Sequence, residues 1–222
     1  MRNSVVWPLI WKDVRLQRIQ MAVAFAAAMA ALALVGTKRE IPAVLGATWF
    51  FVAIIVLGCM LPINNVVNER KKQNLAFVMS LPVSSRQYAL AKIVSTFGMF
   101  VAPWALLSVA AVSLLGARFP HGMIPVVVVF LMLVLAGFSL IAGIAIVSES
   151  EAWTTAALII CNSSYGIAWY LVVRVPETAK QMGGKVAVWS PRLLGMLSVE
   201  CALVIFCLGL TFYLQSRKRN FV

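Results

Sequence analysis

Between Ile41 and Val67 the chain reads IPAVLGATWFFVAIIVLGCMLPINNVV, without a single charged residue. A helix needs about 20 mainly apolar residues to cross about 30 Å of hydrocarbon, so this run can span a bilayer with some tilt. Five further runs accompany it, and spans are expected at about residues 19–36, 41–67, 88–115, 123–147, 153–173 and 193–214. Composition agrees: of 222 residues, 62% are apolar and 12% charged, with a mean hydropathy of +0.94. Soluble domains carry about 45–50% and about 25%, and one soluble core could not hide this much apolar surface. The expected fold is an all-α integral membrane protein, a single transmembrane domain over residues 1–222.

The net charge of +12 comes from 19 Lys and Arg against 7 Asp and Glu. In a membrane protein the positive-inside bias explains such an excess, and no helix-turn-helix, zinc finger or interleaved basic-aromatic motif points to nucleic acid. With the N-terminus inside, twelve basic residues fall on that side: Arg2, Lys12, Arg15, Arg18, Arg70, Lys71, Lys72, Arg86, Lys92, Arg217, Lys218 and Arg219. Seven fall opposite, namely Lys38, Arg39, Arg118, Arg174, Lys180, Lys185 and Arg192. Both termini are therefore expected in the cytoplasm, in an inner or plasma membrane. Arg2 and the charges from Lys12 onward leave too short an apolar core for a cleavable signal, so the chain is expected to be mature as it stands.

Several chemistries are excluded by inventory. The chain has one Asp, Asp13, and one His, His121, and it lacks HExxH, so intramembrane aspartyl and zinc proteases and metal-dependent lipid-phosphate enzymes are ruled out. Cys59, Cys161, Cys201 and Cys207 lie singly in apolar runs, suggesting neither zinc nor a disulfide framework. His121 beside Pro120 reads as a solvated turn residue, and Glu149 and Glu151 as a wet pair in a short inner turn. Glu200, well inside the sixth run, is different. A carboxyl at that depth is expensive unless it faces the protein interior or a wet cavity. No GxxxxGK[ST] phosphate loop occurs, so the chain does not hold ATP by that route.

Two connections look structured. Trp7, Ile10, Trp11 and Val14 recur at helical spacing with Lys12 and Arg15 opposite, which predicts an interfacial helix over residues 5–18 along the inner leaflet. Residues 175–190 are partly apolar around Gly183-Gly184 and are expected to dip back toward the outer leaflet. Ser190 as N-cap and Pro191 in the first turn then open the sixth span. Between spans two and three, residues 68–87 combine a polar turn, Asn68 to Asn74, with an apolar stretch carrying Leu75, Val78 and Met79 on one face and a stop at Pro82. Ser84 and Gln87 then form a capping-box pair. This predicts a short cytoplasmic helix whose apolar face a protein partner would grip. The alternative is that the stretch lies on the membrane, Arg70-Lys71-Lys72 meeting headgroups.

Glu69, the polar turn and the run Leu81-Pro82-Val83-Ser84-Ser85-Arg86-Gln87-Tyr88-Ala89-Leu90-Ala91-Lys92 resemble the coupling-helix region of the membrane (permease) subunits of ATP-binding-cassette exporters with the type V fold. Leu9 to Leu16 resembles their elbow helix. The resemblance implies two membrane units, this chain with a second copy or a homologous permease, powered by separate ATPase chains that hold ATP and Mg. It implies no cofactor here and no catalytic or metal-binding residue, only transport. Glu69, Leu75, Phe77, Val78, Met79 and Pro82 would contact the ATPase.

A substrate path between the membrane units would draw on the face of span five on which Thr155, Asn162 and Trp169 repeat every seven residues, with Tyr165 nearby. Trp49, Phe50 and Asn64 of span two and Glu200 complete the candidates. The plainer reading of these residues is helix–helix hydrogen bonding and packing against neighbours and lipid. As a class, the alternative to an ATP-driven exporter is a stand-alone secondary carrier or channel using Glu200, although such carriers commonly show internal repeats with broken helices and none is evident.

Overall fold

The computed structural model describes residues 6–37, 39–68, 85–148, 150–174 and 176–217. Helix α1 covers Val6–Val35, and α2, Glu40–Pro62, runs on into a π-helical segment, Ile63–Val67. Helix α3 is Ser85–Arg118. A 3-10 turn, His121–Met123, leads into α4, Ile124–Ser148, followed by α5, Glu151–Arg174, the short α6, Pro176–Met182, and α7, Pro191–Arg217. Six of these helices are long and apolar enough to cross a membrane, and no strand occurs among the described residues. The all-α, six-span architecture expected from hydropathy is thus present. Of the connection at 68–87, residues 69–84 lie outside the described residues, and with them Glu69, Leu75, Phe77, Val78, Met79 and Pro82.

The N-terminal region differs from expectation. Residues 5–18 were expected to form an interfacial helix distinct from the first span, yet α1 passes through residue 18 without a break. The reason is local: no Gly or Pro occurs between Leu9 and Val35, the run is Ala-rich, and Pro8 stands in the first turn, where its missing N–H costs nothing. Trp7, Trp11, Arg15 and Arg18 are exposed, but Asp13 and Gln17 on the other face are buried against the bundle.

Helix α4 is apolar all round and is the most buried span, as such a pattern requires. It packs against α2, α3, α5 and α7, while α1 lies outside against α2 and α3. Phe138 of α4 stacks on Phe100 of α3 at 3.9 Å between ring centroids and meets Phe97 edge-on at 5.1 Å. Small residues set the closest approaches. At Gly46 a side chain would begin 2.6 Å from the Ala31 carbonyl oxygen, so α1 and α2 touch backbone to backbone there.

Side-chain and backbone hydrogen bonds close one end of the bundle. Arg118 of α3 donates to the Gly36 carbonyl oxygen just past α1, placing a cation at the helix's negative end. At the same end of the bundle, residues 175–190 contain α6 and then an irregular run to Ser190. That run is held to the 121–123 turn by the Gly122 amide donating to the Gly184 oxygen at 3.0 Å and by His121 Nδ1 against the Lys185 oxygen at 3.0 Å. Ser190 Oγ accepts from the Leu193 amide at 3.4 Å, the N-cap expected for the last span.

Candidate functional site

At the opposite end, where α2 gives way to the connection that returns as α3, polar side chains from three helices converge. Pro62 has no N–H to continue the ladder of α2, and the chain widens into the π-helical Ile63–Val67, a local form that recurs at functional sites. The consequence is that consecutive asparagines serve different neighbours. Asn64 Nδ2 donates to Gln20 Oε1 of α1 at 2.8 Å, and Asn68 Nδ2 donates to Asn64 Oδ1 at 2.8 Å. Asn65 Nδ2 reaches Thr96 Oγ1 of α3 at 3.4 Å.

Beside this lies a buried ion pair. Lys92 Nζ of α3 donates to Asp13 Oδ2 of α1 at 2.9 Å and to the Asn65 backbone oxygen at 3.1 Å, and Ser95 Oγ donates to the same Asp13 oxygen at 2.9 Å. Asp13 is 3% and Lys92 6% exposed. Charges this deep persist because each is satisfied by the other and by further hydrogen bonds, and removing one partner of such a pair typically costs about 3–5 kcal/mol. Sequence reasoning used Asp13 to exclude proteases and Lys92 for topology, and placed both in runs that resemble a family's elbow and coupling regions, without pairing them. The missed signal was spacing: Asp13, Gln17 and Gln20 share one face of α1, and Lys92, Ser95 and Thr96 one face of α3.

The residues expected along a substrate path divide between surface and core. On α5, Thr155, Asn162 and Trp169 are exposed, as is Trp49 on α2. Asn162 Nδ2 has only a 4.0 Å contact with Cys59 Sγ on α2, a weak acceptor. Trp169 packs edge-on to Phe130 at 5.1 Å, and Phe130 edge-on to Phe51 at 5.7 Å. Phe50, by contrast, is 2% exposed and belongs to the core, so it shapes α2 from behind. Tyr165 is also buried, its hydroxyl lying over Gly137 of α4, where any side chain would collide with it. Asn64 belongs to the polar junction just described. Glu200 of α7 is 6% exposed, and its Oε2 has no hydrogen-bond partner among the described residues.

No set of three or more His, Cys, Asp or Glu side chains that could hold a metal ion occurs among the described residues. An apolar groove of about 300 Å³ runs between α4, α5 and α7, lined by Gly143, Trp153, Cys207 and Thr211 among others. Six helices long and apolar enough to cross a membrane thus leave Thr155 and Asn162 exposed on one helix and hold the Asp13–Lys92 pair buried at one end.

A family model described as ABC-2 family transporter protein matches residues 8–216. The chain belongs to the ABC-2 transporter family. It is a transmembrane subunit of an ABC transporter, a multi-pass membrane protein that is not itself catalytic. Membrane subunits of this family work with ABC ATPases, generally as dimers. Comparison with curated proteins and with solved structures finds no match.

Proposed function

We propose that this ABC-2 subunit is one of two membrane units of an ATP-driven exporter of the type V plan, paired with a second copy or a homologous permease in an inner or plasma membrane. Separate ATPase chains hold ATP and Mg. They grip the cytoplasmic segment through Glu69, Leu75, Phe77, Val78, Met79 and Pro82, and both termini lie on that side. The observation that carries this reading is the family match over residues 8–216, and separate ATPase chains accord with the absence of a phosphate-binding loop from these 222 residues.

The exposed face of α5 supports a shared path between two units. Thr155 and Asn162 turn hydrogen-bonding groups toward the membrane, where lipid tails offer no partner, and a second unit or a passing substrate supplies one. Trp49 and Trp169 add aromatic surface on α2 and α5.

The test is co-purification. Leu75→Asp and Met79→Asp place a charge on the face meant for the ATPase, and each variant is expected to insert at parental level but to lose the co-purifying ATPase, or to uncouple its hydrolysis from transport. Parental recovery of the ATPase together with parental transport in both variants rejects the contact and favours a membrane-surface role for the segment.

A further inference from the structure

We propose that Asp13 and Lys92 are positioning residues that yoke α1, the π-helical end of α2 and α3 into one lever at the roots of the 69–84 connection. The connection leaves from Asn68 and returns at Ser85, so both of its roots lie close in sequence to this junction. Lys92 sits two turns inside the returning helix, and its ammonium holds the Asn65 oxygen of the departing segment at 3.1 Å and the carboxylate of α1 at 2.9 Å. A single cation therefore ties three chain segments together. Ser95 adds a second bond to the carboxylate, and Asn64 ties the same segment to Gln20, so α1 is held at two points along its length.

The chemistry favours a rigid tie. A buried ion pair cannot open without stranding charge in an apolar setting, so a push on either root is passed to α1 instead of being absorbed between helices. The π-helical segment supplies the third attachment. Its wider turn directs Asn64 and Asn65 to different neighbours and leaves the Asn65 oxygen within reach of Lys92. Without the tie, α1 would meet the bundle at this end through apolar packing and single neutral hydrogen bonds. The direction of force, from the connection into α1, rests on the reading of residues 69–84 as the ATPase contact. The yoke itself does not.

Hydrogen–deuterium exchange tests both in separate arms. In the first, the purified chain in lipid nanodiscs is compared with Asp13→Asn, Lys92→Gln and the double variant. Loss of one shared interaction should raise exchange in residues 9–17 and 63–68 together in all three proteins, and no more in the double variant than in either single variant, each of which strands a charge. Increases confined to the mutated helix, or adding up in the double variant, overturn the yoke. The second arm takes the complex with its co-purifying ATPase, nucleotide-free and trapped with ADP and vanadate. In the parent, trapping should alter exchange in both α3 and α1, whereas in Asp13→Asn the α3 response persists and the α1 response is lost. A parental α1 response in that variant overturns the transmission role. A parent that binds no ATPase, or responds nowhere, sinks the transport reading while leaving the first arm to decide the yoke. If the single variants fail to accumulate, the double neutral variant, which strands no charge, carries both arms.

Discussion

A carboxyl group deep in an apolar helix has to be neutral, paired or wet. Glu200 is buried with one oxygen lacking a partner, a condition that costs about 1–3 kcal/mol for an ordinary buried polar atom. Replacing it by Gln is therefore expected to leave insertion and thermal stability at or above parental level, while changing ATP-driven transport or the hydrolysis coupled to it. The measurement is a melting curve beside ATPase turnover of the reconstituted complex. If Glu200→Leu is as stable as the parent and turns over and transports identically, the carboxyl has no role there. That this residue would be turned inward was legible from its depth in a lipid-length run. The orientation of Phe50 and Tyr165 was not, because α2 is apolar on almost every face and α5 mixes apolar with polar residues, such as Thr154, buried, and Thr155, exposed, so periodicity does not separate a core face from a lipid face there. Asp13 and Lys92 escaped for another reason: their partners are 79 positions apart, and each alone looked like an interface charge.

Helices in lipid gain little from hydrophobicity against one another, so their pairing depends on how closely backbones approach. Gly46 allows a close contact between α1 and α2, with the Ala31 oxygen and the Val35 nitrogen 2.6 and 2.7 Å from where a Cβ would stand. Gly46→Leu should force the two helices apart and lower stability by at least the about 1–3 kcal/mol typical of overpacking. Gly98→Leu on α3 is the control, since nothing lies within 4 Å of its Cβ position. A melting temperature for Gly46→Leu equal to that of Gly98→Leu would mean that α1 and α2 are not joined there. At this scale the sequence was most informative: six lipid-length runs predicted six spanning helices, and Ser190-Pro191 marked where the last begins. It was least informative for α1. Amphipathic spacing over residues 7–14 suggested a separate interfacial element, but spacing describes a face and says nothing of whether the helix stops, and no residue there stops it.

Orientation is a property of the whole chain, since every span must insert with the same sense as its neighbours allow. The structure places two groups of features at opposite ends of the bundle. The N-terminal part of α1, the π-helical segment and the start of α3 share one end, and the 121–123 turn, α6 and the start of α7 share the other. The sequence count gives the N-terminal side twelve Lys and Arg against seven, although Lys92 is held inside by Asp13 and contributes to packing as well as to that count. Setting Lys92 aside still leaves eleven basic residues there against seven opposite, so the bias survives the correction. Aromatic anchoring is compatible with either sense, because Arg174 lies over Tyr170 and Arg217 over Tyr213, each at 4.8 Å, one at each end. Charge asymmetry is thus the basis for proposing that both termini face the cytoplasm. Single cysteines introduced at Lys185 and at Gln73, in a background lacking the four native cysteines, should react with a membrane-impermeant maleimide from outside at the first position and only after permeabilisation at the second. Labelling of Gln73 from outside would invert the protein, remove residues 69–84 from the compartment where ATP is hydrolysed, and with that end any role for Leu75 and Met79 in holding an ATPase.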